Sequence, residues 1–266
     1  EPARLVGVPD RRAANRNEVA HTAPARKLQK RSGGRPAVAG QGSLPAAAFA
    51  RRGMRRDENP PGGLGQPSAK TEAAIELGLE FLARLQLSDG RWDFQQMGEV
   101  ADFAVGEEPS IEADAAATGL ALLAFLGAGY DHFEDKYQVV VERGIEYLVR
   151  KQQPSGELFP EGTPTSGGVT RFYSHGIAAL ALCEAYGMTG DPDLRAPAQR
   201  ALDFIAETQH PERGGWRYVP YVNADLSVTG WQLMALKSGD LAGLHVSDET
   251  YGGVRDMVEA CREQGA

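Results

Sequence analysis

Two short patterns recur along the chain at a common interval, and no other feature limits its fold as tightly. The first reads Gly78-Leu79-Glu80-Phe81-Leu82, then Gln86, then Asp89-Gly90-Arg91-Trp92. It returns as Gly144-Ile145-Glu146-Tyr147-Leu148, Gln152, Ser155-Gly156 and Leu158, and again as Ala201-Leu202-Asp203-Phe204-Ile205, Gln209 and Gly214-Gly215-Trp216. The glutamines stand 66 and 57 residues apart, and Gln264 follows after another 55. Between these units Thr118-Gly119-Leu120-Ala121-Leu122-Leu123-Ala124 matches His175-Gly176-Ile177-Ala178-Ala179-Leu180-Ala181, and both match Thr229-Gly230-Trp231-Gln232-Leu233-Met234-Ala235, at spacings of 57 and 54. A fixed period of this length marks stacked supersecondary units. Two interleaved series with one period predict a unit of two helices, repeated three times and begun a fourth.

The two series differ in chemistry. In the first, Glu76, Glu80 and Arg84 fall on one side of a helix and Leu77, Phe81 and Leu85 on another, so that helix has a wet face. The second is apolar nearly all round, which predicts burial between two layers. A row of buried helices backed by a row of amphipathic ones satisfies both, an all-α architecture. The glycines after each Gln, Gly90, Gly156 and Gly215 among them, are expected to stop the outer helices, since glycine tolerates the left-handed conformation of a helix end. Trp92 and Trp216 are expected to pack back over the Gln stem and lock the turn.

The order small residue, aromatic, Leu or Ile, Gln, Gly, Trp resembles the QW repeat of the terpenoid cyclases. Residues 71–266 resemble the prenyltransferase and squalene-oxidase repeat domain of squalene–hopene cyclases and protein prenyltransferase β subunits. Trp216-Arg217-Tyr218, the stretch Gly230–Ser238 and Tyr173-Ser174-His175-Gly176 are similar to a bacterial branch of that family. The resemblance implies an α/α-toroid whose inner helices line an apolar cavity, and an isoprenoid or other lipid as ligand. Rings of this family hold five to seven hairpins. Three and a half predict an incomplete toroid, with a further toroid segment or a partner chain at its open edge. Residues expected at the cavity or its rim are Asp114, Phe125, Tyr173, His175, Tyr186, Asp225, Thr229, Trp231 and Met234.

The class II cyclases of this family protonate an alkene or epoxide with the middle aspartate of an Asp-x-Asp-Asp-Thr motif, a step that needs a strong, dry acid. On that frame Asp225 takes the first Asp and Thr229 the Thr, but Ser227 and Val228 replace the acid and its neighbour. The same frame gives Asp114, Ala116, Ala117 and Thr118 in the first unit, and Arg171, Tyr173, Ser174 and His175 in the second. None supplies a proton donor of the required strength. Protein prenyltransferases hold zinc with Asp, Cys and His. The five histidines and two cysteines here lack ligand spacing, so neither metal nor cofactor is expected. His175 at a helix start reads as a hydrogen-bonded structural residue or as a group at the cavity mouth, and Cys183 as core. Cys261-Arg262-Glu263-Gln264 approaches the Cys-Gly-Glu-Gln of complement-type thioester domains, with Arg in place of Gly and in an outer helix. Asp114 and Asp225 occupy equivalent positions and read as helix caps or as a carboxylate pair of the kind glycosidases use. No glycine-rich phosphate loop occurs.

Residues 1–70 carry 14 basic and 5 acidic residues, against 14 and 31 in residues 71–266. Ala, Gly, Pro and Arg fill 41 of those first 70 positions, and Phe49 is the single aromatic. Such a composition buries too little apolar area to offset backbone ordering, which predicts a disordered basic leader. With no aromatics among its arginines to stack on bases, no nucleic-acid partner is expected. Two cysteines exclude a disulfide scaffold. No apolar run reaches the roughly 18 residues of a membrane span, and with no signal peptide visible a cytoplasmic setting is the default.

Overall fold

The computed structural model describes Phe49 and residues 69–94, 113–159 and 167–264. Among them are seven helices and no strand: α1 (Ala69–Leu85), α2 (Asp114–Gly127), α3 (Gln138–Lys151), α4 (Gly167–Thr189), α5 (Pro192–Glu207), α6 (Leu226–Leu241) and α7 (Asp248–Gln264). The inner helices α2, α4 and α6 pack side by side, α4 against both neighbours, while α3 packs on α2, and α5 on α4 and α6. The chain thus alternates outer and inner helices through three hairpins and one further outer helix. Local chemistry sets several starts. Asp191 precedes Pro192 at the first helical position and accepts the Asp193 N–H, and Asp225 accepts the N–H groups of Ser227 and Val228.

The main core lies between the two layers. Leu122, Phe125, Ile145, Leu148, Ala179, Leu182, Leu202 and Ile205 have lost essentially all contact with solvent. The expected disorder of residues 1–70 falls outside the described residues, except at Phe49 and at Ala69 and Lys70, which already belong to α1. The Phe49 ring is buried in the core and lies where a Cβ on Gly187 would be, 2.4 Å from its nearest atom.

The repeated glutamine joins each unit to the next. Gln86 Nε2 donates to Gly90 O (2.9 Å) in its own turn and to Val140 O (2.8 Å) in α3. Gln152 does the same with Gly156 O and Pro197 O of α5, and Gln209 with Gly214 O and Thr250 O of α7. The glycines do not end the outer helices as expected; α3, for example, is capped by Gln152 in an extended conformation. Gly90, Gly156 and Gly214 lie four or five residues past the glutamine of their turn, at φ of +97°, +94° and +68°. A Cβ there would fall 2.2, 2.1 and 1.9 Å from the carbonyl oxygens of Arg143, Arg200 and Gly253. Their role is to reverse the chain and admit the next outer helix. Gly215 is buried just before Trp216, where a Cβ would meet Met257 Sδ at 2.7 Å.

These contacts correct two sequence readings. Val140, Pro197 and Thr250 share one register, as do Arg143, Arg200 and Gly253, so Arg262, not Gln264, takes the glutamine position in α7. In α1, Leu77 is 66% exposed, and Leu79 is buried with Ile75 and Leu82 packed beside it. The helix is rolled because Glu76 is held from below, accepting from Tyr137 OH at 2.7 Å and Tyr130 OH at 3.0 Å.

Replacing Gln209 by alanine leaves two carbonyls short of a donor, and a loss of about 1–2 kcal/mol is expected in urea unfolding. Gln209→Glu, which turns an acceptor toward those carbonyls, is expected to lose more. Equal stability of Gln209→Glu and wild type would refute this role.

Candidate functional site

Each inner helix starts against the turn that precedes it. Thr118 Oγ1 accepts the N–H of Trp92 (3.1 Å), and Thr229 Oγ1 that of Trp216 (3.1 Å). The indoles fold back and donate to Leu82 O and Ile205 O, both at 2.8 Å. In the second unit Leu158 stands in place of tryptophan, and its N–H donates to His175 Nδ1 (3.1 Å). His175 Nε2–H donates to Ala201 O (3.1 Å), and Phe204 packs against the ring at 4.7 Å between centroids. Nδ1 accepts and Nε2 donates, which fixes the tautomer. Complete burial pushes the imidazole down to about 4, so it is neutral. His175 is a joint between units and does not open to a cavity.

Beside that joint lies an ion pair whose sense alternates. Arg91 Nε stands 3.3 Å from Asp114 at the start of α2. At the same repeat positions Glu157 takes both Nε (2.5 Å) and Nη2 (2.8 Å) of Arg171. In the third unit the positions hold Gly215 and Asp225, whose carboxylate instead caps α6. The Val228 and Ser227 N–H groups hold Asp225 below the usual carboxylate range. Asp114 and Asp225 are each committed locally.

The remaining predicted residues separate into two groups. Phe125 is fully buried between the layers, 6.1 Å from Trp92 and 5.0 Å from Tyr137 between ring centroids. Thr229 is buried in its turn. Tyr186 accepts from Arg195 Nη1 (2.9 Å) near the far end of α4. Cys183 is in the core, its thiol pushed up to about 12 by burial, and Cys261 is exposed.

Trp231 and Met234 lie toward the other face of α6, whose buried side carries Val228, Gln232, Ala235 and Leu236, while Tyr173 packs against the main core. A second, smaller apolar cluster forms from Ala113, Ala116 and Ile177, with Phe94, Leu123 and Trp231 packed on it. Leu120 (41%) and Met234 (44%) are exposed on the same two helices, α2 and α6. The expectation that the inner helices are buried all round therefore fails on this face. Sequence reasoning missed Phe94, Leu120 and Ile177; the signal for the last two was repeat register, since Leu120, Ile177 and Trp231 are equivalent positions. At the cyclase acid position of the frame, Tyr173 OH and Ser227 Oγ hydrogen-bond to each other, and Tyr173 lies 6.3 Å from Tyr218 between ring centroids. This face can hold an apolar body and hydrogen-bond one polar head through the hydroxyl pair. A hydroxyl pair does not protonate an alkene. Among the described residues no group of His, Cys, Asp and Glu is placed to hold a metal ion, and no helix is long and apolar enough to cross a membrane.

Comparison with known proteins finds no matching family model, no matching curated protein and no matching solved structure.

Proposed function

We propose that the chain is a terpenoid cyclase/prenyltransferase-like repeat protein whose inner face binds an isoprenoid or other apolar ligand, and that this segment does not start a class II cyclisation. The observation that carries the reading is the second apolar cluster, which Phe94 and Leu123 bridge to the core, with Leu120 and Met234 exposed on the same helices. Burying apolar area there contributes roughly 25 cal/mol per Å² before the costs of association. The Tyr173–Ser227 pair is the polar end, and it takes the place of the cyclase acid.

Trp231 is a built-in reporter, since Trp92 and Trp216 are fully buried with bonded indoles and Trp231 is half-buried on the inner face. Titration with geranylgeraniol is expected to shift tryptophan emission to the blue. The shift is expected to vanish in Trp231→Phe, and binding to weaken at least tenfold in Met234→Asp. Emission that ignores the alcohol would overturn the reading, and a cyclised product from squalene would overturn its non-catalytic part.

A second reading, a non-catalytic scaffold that binds protein or glycan at its rim, is favoured by one segment. Before α6, Tyr221 (58%) and Val222 (54%) project into solvent, with Tyr221 and Asn223 at φ of +59° and +57°. Asparagine takes that conformation readily in turns, and at a bulky residue such as Tyr221 it is uncommon. Ligand binding lost in Tyr221→Ala but kept in Met234→Asp would select this alternative.

A further inference from the structure

The repeat register exposes two faces of this chain that are covered wherever the same position occurs inside the stack. On α6 the first is marked by Leu226 and Gly230. Leu226 is 57% exposed, whereas its equivalents Phe172 on α4 and Ala115 on α2 are buried to 0% and 2%. A Cβ on Gly119 would stand 3.1 Å from the backbone of Ala178 in the next inner helix, and one on Gly176 would stand 2.6 Å from Gln232 Nε2. On Gly230 it would meet no described atom within 4 Å. Glycine allows close approach of two inner helices at the first two positions, and at the third nothing described approaches. The face continues into a groove of about 830 Å³ between α6 and α7, lined by Leu233, Tyr251, Val254 and Val258 among others.

The second face is on α1 and α2. Gly144, Ala201 and Val254 are buried against the preceding unit, Gly144 so closely that a Cβ would stand 2.9 Å from Leu122 and 3.0 Å from Trp92. Their equivalent in α1, Gly78, is exposed and would meet no described atom within 4 Å. Leu77 beside it occupies the position that Arg143, Arg200 and Gly253 place under the preceding turn. On α2, Ala124 is exposed where Ala181 and Ala235 are fully buried.

In a stack, the first face of one unit is what covers the second face of the next. We propose that this chain associates head to tail with a second copy of itself, the α6–α7 face of one copy receiving α1 and α2 of the other. The joint continues the α2–α4 and α4–α6 packing already present twice within the chain. A head-to-tail contact uses two different patches, so two copies can satisfy both joints at once, or copies can add in a row.

The test is mass measurement by light scattering on the chain at 100 µM in reducing buffer, since Cys261 is exposed. Wild type is expected at twice the chain mass or more. Gly230→Arg and Gly78→Arg, each placing a long side chain in open space, are each expected to be monomeric with unchanged circular dichroism. Each variant keeps the face that the other has lost, so a one-to-one mixture is expected to give a species of two chains and none larger. Leu226→Glu and Leu77→Glu, at exposed side chains, replace any glycine variant that melts early. A monomeric wild type overturns the proposal and leaves a following helical unit or another protein as occupant. Variants that still assemble, or a mixture that stays monomeric, overturn it equally.

Discussion

Gly214→Ala is expected to lower the stability of the chain by roughly 3–5 kcal/mol in urea unfolding, a loss seen only where a substitution meets backbone or empties a core. Gly214 holds φ +68°, which costs an L-residue on the order of 1 kcal/mol. The larger part comes from contact, since a Cβ would lie 1.9 Å from Gly253 O and 2.4 Å from its carbonyl carbon. Neither is the movable end of a side chain. Relief requires α7 to move off the turn, which breaks the Gln209 bonds to Gly214 O and Thr250 O. Two controls separate the causes. Gly243 has φ +78° with no described atom within 4 Å, so Gly243→Ala is expected to show the conformational part alone, about 1 kcal/mol. Gly230 is helical and open, so Gly230→Ala is expected to stabilise the monomer by about 0.5–1 kcal/mol. Equal losses at Gly214 and Gly243 would show that the approach of Gly253 is unimportant.

Acid is expected to weaken the chain through His175. In the unfolded chain the ring titrates near its ordinary 6.5, and in the folded one burial pushes it down to about 4. Above 6.5 both states hold a neutral ring, and the contribution is whole. As the pH falls from 6.5 toward 4 the unfolded chain takes a proton that the native joint refuses, so stability is lost across that window. Between pH 7.5 and 4.5 the loss amounts to roughly 2–3 kcal/mol. Carboxylates such as Asp225 contribute a separate decline at lower pH, so the comparison is with His175→Gln. Its amide can donate to Ala201 O without titrating, and its stability is expected to fall less over the same range. Parallel pH profiles for wild type and His175→Gln, read from urea midpoints, would refute the assignment.

The alternation of outer and inner helices is legible in the sequence because two different periodic chemistries interleave. What was not legible is rotation. A helix that is apolar on every side gives no phase, so Phe125 and Trp231 look alike in sequence although they lie on opposite faces of their helices. The phase is set by Thr118, His175 and Thr229, whose partners lie 13 to 26 residues upstream. For α1, the charged pattern pointed to the wrong apolar side because Glu76 is anchored by two tyrosines more than 50 residues away. Gln264 looked like a fourth repeat glutamine by distance alone. The carbonyls that each glutamine turn grips place the register two residues earlier, at Arg262.

Units of one shape carry a hazard, because a growing chain can thread a turn onto the wrong inner helix and be trapped there. The two ion pairs beside the joints act against that error. Presented to α4, Arg91 would meet Arg171; presented to α2, Glu157 would meet Asp114. Mispaired partners repel and correctly paired ones attract, so this polarity labels each turn for its own helix while the apolar surfaces around it remain interchangeable.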